Sequence, residues 1–410
     1  MKNLSIPSWV FLAFLLLVAT SLSFLDRQVL SVSVIKIREE LSLSDIQYGF
    51  INSGFLISYA IMFTLGGVLI DRYGSRFGLG ISVGFWSLAT MLHSFASSAW
   101  HFGFFRFLLG IGEGGCFPGV VRAVIERVPK ARHALANGIA IGGSALGAVI
   151  APPLCAMLLV TLGWRALFLI TGGFGIIWLI IWLFFTSGKP LNEEAMPVRD
   201  KLKNRGVPFI ALLKNRQALT FIVIRFLLDP IFYFYMFWIP KYLNESRAFS
   251  LESIGDILWI PFLALGAGNF LGGWISDVIF RRTNDTNKAR KRVMGVAAAL
   301  TMPVLTAGFL NSDALIIIFM SLAFFAHGLW ITNYITSIGD VFGSAVTSTV
   351  VGLSGSAGAL SSLVLNPVIG LIVTRFSYTP LWWYAGLMYP VAFLIFVMLI
   401  PDIRNKFSCS

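Results

Sequence analysis

Six ionisable residues stand inside otherwise apolar stretches: Asp26 and Arg27, Arg106 and Glu113, Arg225 and Asp229. At the centre of a bilayer such a charge costs about 2.5–3.5 kcal/mol on insertion scales, so each needs a partner or a task. A guanidinium stays charged and grips a carboxylate at two points, which suits Arg27 or Arg106 to holding an organic anion. A carboxyl set between apolar surroundings and an arginine can exchange a proton near neutral pH, a role open to Asp26 and Glu113. The plainer alternative is a structural ion-pair cluster. Two carboxylates and two arginines shared by two segments favour movement of an anion together with protons. Arg225 and Asp229 are four residues apart and can simply pair with each other. Asp229-Pro230 can also mark a helix break facing a cavity.

A few neutral groups are candidates to touch a substrate. Tyr59 is a polar handle in an apolar stretch, and Tyr233 belongs to the aromatic run from Phe232 to Trp238. Trp330 and Asn333 are three apart and share a helical face. Most of the aromatic run serves packing, and His327 reads as a satisfied interior histidine. Cys116, Cys155 and Cys409 are scattered without metal-ligand spacing. There is no Walker A motif, no HExxH and no Gly-x-Ser-x-Gly. No metal or cofactor is therefore expected, an enzyme reading lacks its nucleophile, and energy must come from an ion or substrate gradient.

These residues need elements to hold them. Of the 410 residues 57% are hydrophobic and 12% charged, with a mean hydropathy of +0.81. A soluble domain is usually about a quarter charged. Apolar runs long enough to cross a bilayer recur along the chain, giving twelve predicted helices, the first at 9–33 and the last at 380–400. With both ends cytoplasmic, 22 of the 31 Lys and Arg fall on the cytoplasmic side. Six lie opposite (Lys36, Arg38, Arg165, Lys241, Arg247 and Arg375), and Arg27, Arg106 and Arg225 lie within spans. That asymmetry orients the chain. The net charge of +12 thus reports topology rather than a nucleic-acid partner. In this orientation Asp26, Arg27 and Arg106 share one level in the outer third, and Glu113 sits roughly 10 Å deeper on the face of Arg106.

The longest polar stretch, 187–214, separates a six-helix bundle at 1–186 from another at 215–410 and reads as a cytoplasmic linker. The halves share a signature. Gly66-Gly67 precedes Asp71, Arg72 and Arg76, and Gly272-Gly273 precedes Asp277, Arg281 and Arg282. Two parallel repeats explain the match. Carboxylates and arginines in such loops can latch the cytoplasmic side in one conformation. Glycines at helical spacing (Gly138, Gly142, Gly143 and Gly147; Gly352, Gly355 and Gly358) permit close helix crossings.

Several of these segments resemble one family. Leu25-Asp26-Arg27-Gln28, the loop at 66–76 and the run from Arg106 to Glu113 are similar to the major facilitator superfamily, and within it to the anion:cation symporter branch. The run from Arg225 through Asp229-Pro230 to Leu243, Gly163-Trp164-Arg165, Asp340-Val341-Phe342 and Ser377 to Leu381 resemble its bacterial hexuronate transporters. The resemblance implies import of an organic anion with protons by alternating access. It puts proton coupling on Asp26 and Glu113, and substrate contacts on Arg27, Arg106, Tyr59 and the helix 5 Ser144, with Arg27 ahead of Arg106. Ser23, Phe24, Cys116, Ile141 and Gly328 stand where that group often has polar residues, and Gly343-Ser344-Ala345 replaces a basic stretch. A substrate with fewer hydroxyls than a hexuronate follows from those losses.

The expectation is an all-α membrane protein with twelve transmembrane helices in two parallel six-helix repeats, the major facilitator fold. It would sit as a monomer in the lipid bilayer of a bacterial inner membrane, multi-pass, with both termini cytoplasmic. Its partners would be a small organic anion, in one form a sugar acid, and protons. An exporter of an organic anion or drug by proton antiport is the alternative, and a non-transporting receptor a more distant one.

Overall fold

The computed structural model describes residues 8–129, 133–187 and 209–403. Most of the linker therefore lies outside the described residues, as do Cys409 and the side chains of Asp71 and Arg72. Among the described residues every regular element is helical.

The first unit, Met1–Leu202 with Phe249–Asp256, holds six long helices. They are α1 (Ser8–Leu41), α2 (45–73), α3 (75–92), α4 (Ala99–Arg127), α5 (133–162) and α6 (164–185). The helical backbone of α2 and α3 is continuous except at Gly74, with φ +77°, and that of α5 and α6 except at Gly163, with φ +81°. A single left-handed residue reverses the chain at each place, a conformation that glycine adopts without a Cβ clash. The second unit, Lys203–Ala248 with Ile257–Ser410, holds α7 (Arg216–Arg247), most of α8 (Leu251–Thr283), α9 (Thr286–Phe309), α10 (Asp313–Phe342), α11 (Val350–Phe376) and α12 (Thr379–Leu399). Each helix is mostly apolar, and many large hydrophobic side chains point outward, Trp274, Phe270 and Met398 among them. An apolar exterior is what a bilayer solvates, and helices satisfy their own backbone there.

Glycine positions set the same three crossings in each unit. In the first, Gly143 and Gly147 of α5 lie against the backbone of α1 at Leu17 and Ser21, and Gly110 of α4 lies against Phe55 and Ser58 of α2. Gly172 and Gly175 of α6 lie on Ser87 and Met91 of α3. In the second, Gly355 and Gly358 of α11 face Arg225 and Asp229 of α7, Gly268 and Gly272 of α8 meet Phe325 and Leu329 of α10, and Gly386 of α12 meets Leu305 of α9. First helix with fifth, second with fourth and third with sixth recur in both. Hydrogen bonds from Thr20 to the Ala140 carbonyl (2.5 Å) and from Ser21 to the Gly143 carbonyl (2.8 Å) fasten α1 to α5. By contrast, Gly138, Gly142 and Gly352 have open space beside them, so their lack of a side chain serves no crossing in this arrangement.

Candidate functional site

Helices α1 and α4 bring the predicted charges together inside the first unit. Arg106 and Glu113 are two turns apart on one face of α4. The Arg106 Nη2 donates to the backbone carbonyl of Arg27 at 3.3 Å, which fixes the height of α1 against α4. The Arg27 Nε donates to Glu113 Oε2 at 2.6 Å, and Ser23 Oγ donates to the same oxygen at 3.1 Å. The pair is buried: the Arg27 side chain is 5% exposed and that of Glu113 0%.

The Arg27 backbone lies beside Arg106, at the level read from sequence, but its side chain pairs with Glu113, the group expected to lie deeper. The physical reason is side-chain direction. Side chains lean toward the N-terminus of their helix. Along α1 that is toward the middle of the span, and along α4 it lifts Glu113 up to meet the long arginine.

Asp26 is the next residue round the helix and turns elsewhere. Trp86 and Thr90 of α3 face its carboxylate, with Arg106 and Glu113 the nearest charges. Neither α3 group closes a hydrogen bond: both Asp26 oxygens, Trp86 Nε1 and Thr90 Oγ1 are buried without a hydrogen-bond partner. Arg106 Nε and Nη1 and Glu113 Oε1 are buried in the same condition. The Arg27 guanidinium is framed by rings, 4.6 Å from the centroid of Tyr59, 4.8 Å from Phe24 and 5.4 Å from Phe55. These are cation–π distances. The one hydroxyl among them is that of the half-buried Tyr59.

Ser144 of α5 is also half-buried, and its hydroxyl donates to the Ile141 carbonyl of its own helix at 2.7 Å. Tyr233 of α7 is buried against Phe232 and Phe237. Trp330 and Asn333 do lie on one face of α10, but that face is packed. Trp330 sits edge-on to Tyr389, and Asn333 donates to the carbonyls of Gly272 (3.0 Å) and Leu329 (2.9 Å). Both are buried, at 1% and 0% exposed. Arg225 and Asp229 pair within α7, Arg225 Nε lying 3.0 Å from each carboxylate oxygen.

The latch residues fare unequally. Arg76 donates to the Leu183 carbonyl (3.3 Å), closing the end of α6. Asp277 is exposed and lies 3.8 Å from Arg290, while Arg281 is exposed. Each unit is instead tied by residues the sequence reading passed over. Glu126 of α4 accepts from the Ser75 amide (3.1 Å) and hydroxyl (2.5 Å) and from Arg122 (2.7 Å). Arg290 of α9 donates to Asp340 (3.0 Å) and Ser276 (2.7 Å). Arg290 was masked by the basic run around it, and Glu126 by the arginine four residues before it. The anchoring role of Ser23 and the α3 groups facing Asp26 carried no signal, because serine, threonine and tryptophan are ordinary residues of an apolar span.

Residues 16–365 match the Major Facilitator Superfamily. A probable sulfoacetate transporter of Cupriavidus necator is 29% identical over 368 residues, covering 86% of this chain and 85% of that protein. A D-galactonate transporter of Escherichia coli is 25% identical across 95% of both chains. The hexuronate transporter of Escherichia coli is 27% identical, covering 93% and 91%. Among solved structures, a bacterial homologue of the human lysosomal transporter Spinster superposes with a TM-score of 0.80 at 18% identity, covering 98% of this chain and 100% of that one. A D-xylose-proton symporter superposes at 0.78 and 15%, covering 97% and 99%. The glycine-built crossings, the apolar exterior and these similarities lead to one conclusion: the chain belongs to the Major Facilitator Superfamily and is a multi-pass membrane transporter, not an enzyme.

Proposed function

We propose that the protein is a proton-coupled symporter that imports a small organic anion across a bacterial cytoplasmic membrane, with both termini on the cytoplasmic side. The observation that carries this reading is the buried Arg27–Glu113 pair beside the unpartnered Asp26 carboxylate. Glu113 occupies the guanidinium that an anionic substrate needs. Protonation of Glu113 removes its claim on Arg27, and a substrate carboxylate or sulfonate takes its place without adding net charge to the interior. Release of the proton on the other side restores the ion pair and expels the anion. Breaking a buried ion pair by itself costs about 3–5 kcal/mol, so exchange of one anion for another is the economical route.

Charge bookkeeping supports an electroneutral stoichiometry. Asp26, Glu113, Arg27 and Arg106 together are neutral. A monoanion enters with one proton and a dianion with two, each without net charge movement. The rings of Phe24, Phe55 and Tyr59 around Arg27 supply a single hydroxyl, which favours an anion with fewer hydroxyls than a hexuronate. The relatives' substrates run from hexuronate and galactonate to sulfoacetate, so a sugar acid is one member of the class and a short sulfonate another.

The test is uptake of labelled galacturonate, glucuronate and sulfoacetate into proteoliposomes under an inward proton gradient at clamped membrane potential. Gradient-driven accumulation of at least one anion, insensitive to the potential, is expected. Accumulation only under an outward gradient of protons would make the protein an exporter. Equal, low-micromolar competition by both hexuronates would overturn the preference for sparse hydroxyls.

A further inference from the structure

The interior of the first unit holds more unpaired polar atoms than the Arg27–Glu113 exchange uses. Asp26 Oδ1 and Oδ2, Trp86 Nε1, Thr90 Oγ1, His93 Nε2, Arg106 Nε and Nη1 and both amide atoms of Asn52 are all buried without a hydrogen-bond partner. They belong to α1, α2, α3 and α4 and to the short 3-10 turn His93–Phe95 that follows α3. His93 Nδ1 lies 2.7 Å from the Ala89 carbonyl, which can only accept, so the proton is on Nδ1 and Nε2 offers a lone pair. Arg106 and Trp86 have only donors to offer, Asp26 and His93 only acceptors, and Thr90 and Asn52 both.

Such a set is complementary yet does not close on itself. Leaving each group unpaired costs about 1–3 kcal/mol, and more for charged ones. A ligand that both donates and accepts satisfies all of them, and water is the ligand of that chemistry. The groups lie within range of one another. Thr90 and Trp86 face Asp26, Arg106 is within electrostatic range of both Asp26 and His93, and Tyr48 stands beside Asn52 within range of both Arg106 and Arg38. Arg38 pairs with Asp45 at 3.2 Å where α1 ends and α2 begins, at the partly exposed rim of the unit.

We propose that Asp26, Trp86, Thr90, His93, Arg106 and Asn52 hold a chain of internal water molecules that joins Asp26 to the outer rim of α1 and α2. The chain gives protons their own way to Asp26, through the helix bundle and past α3, separate from the way the anion takes to Arg27. The charged and titratable groups that face Asp26 are Arg106 and Glu113 of α4 and Cys155 of α5; α3 contributes the neutral Trp86 and Thr90. Arg106 keeps the chain from delivering protons indiscriminately, because its positive charge opposes a travelling hydronium except where the Asp26 carboxylate draws it on.

The proton-route half of this inference rests on the proposed symport; the hydration half does not, and the two are tested separately. X-ray radiolytic labelling of the whole protein in detergent reads hydration directly, since hydroxyl radicals form on bound water next to buried rings. Trp178 is the dry control, buried with its indole N–H bonded to the Leu15 carbonyl at 2.7 Å. Oxidation of Trp86 and His93 about tenfold faster than Trp178 is expected, and rates equal to Trp178 would overturn the water chain. Thr90→Val and His93→Phe then test the route. Proton-driven accumulation should slow by about tenfold while counterflow exchange stays within about twofold. Equal loss of both activities, or of neither, would overturn the route. Labelled rings in a protein that shows no proton coupling would leave the hydration standing and remove the symport reading.

Discussion

The two halves of the chain share a scaffold and differ in what they do with charge. Glycines close the same three helix crossings in each. In the first half, buried charged atoms are left over: both oxygens of Asp26, Oε1 of Glu113 and two nitrogens of Arg106 have no hydrogen-bond partner. In the second, the unpartnered buried atoms among the described residues are neutral, namely the Tyr235 hydroxyl, the Trp382 indole and the amide oxygens of Asn287 and Asn333. Within α7, Arg225 pairs with Asp229 and Lys241 with Glu245, so these charges neutralise each other inside one helix. Duplicated packing has therefore kept the fold in both halves, while the unpartnered buried charges among the described residues are concentrated in one.

The comparison is most easily broken at Arg27. Arg27→Lys keeps the charge but loses the planar fork, and a charge-assisted hydrogen bond contributes about 1.5–3 kcal/mol, so the KM for the anion should rise roughly 10- to 150-fold. An unchanged KM would remove the anion site from the first half. A subtler test addresses the shared scaffold. At Gly143 a Cβ would overlap the Leu17 carbonyl, and at Gly358 the Asp229 carboxylate. Gly143→Ala and Gly358→Ala should each destabilise by about 1–3 kcal/mol, read as a lower Tm in detergent, whereas Gly138→Ala and Gly352→Ala, with nothing beside them, should not. If only one half responds, the crossings are not equivalent.

Replacing the α7 pair sharpens the contrast further. Arg225→Gln with Asp229→Asn removes both charges together, which is often neutral for a buried pair. Coupled uptake by the double variant should stay within about threefold of wild type. Loss of coupling would give the second half a share in the chemistry. The smallest effect is expected at the exposed Arg281, where Arg281→Gln should change stability by less than about 0.5 kcal/mol.

The spans, the two-fold repeat and the buried charges of α1 and α4 were legible in the sequence, because hydropathy and in-span charge are one-dimensional signals. The pairing of Arg27 with Glu113 was not. Spacing along a helix gives the height of each Cα, but an arginine reaches a full turn beyond it, and here its lean toward the N-terminus decides the partner. Trp330 and Asn333 show the converse: shared spacing put them on one face, and only the packing shows that this face meets α8 and Tyr389. Thr90 and Trp86 were silent, since their role comes from Asp26 turning toward α3.

The most direct test of the account compares wild type with Glu113→Gln in proteoliposomes, measuring proton-driven accumulation and counterflow exchange of the same anion. Glutamine keeps the shape and releases Arg27 permanently. Accumulation should collapse to equilibration while exchange persists at near wild-type rate. Accumulation that survives the substitution would contradict the central claim that Glu113 couples protons to the anion on Arg27.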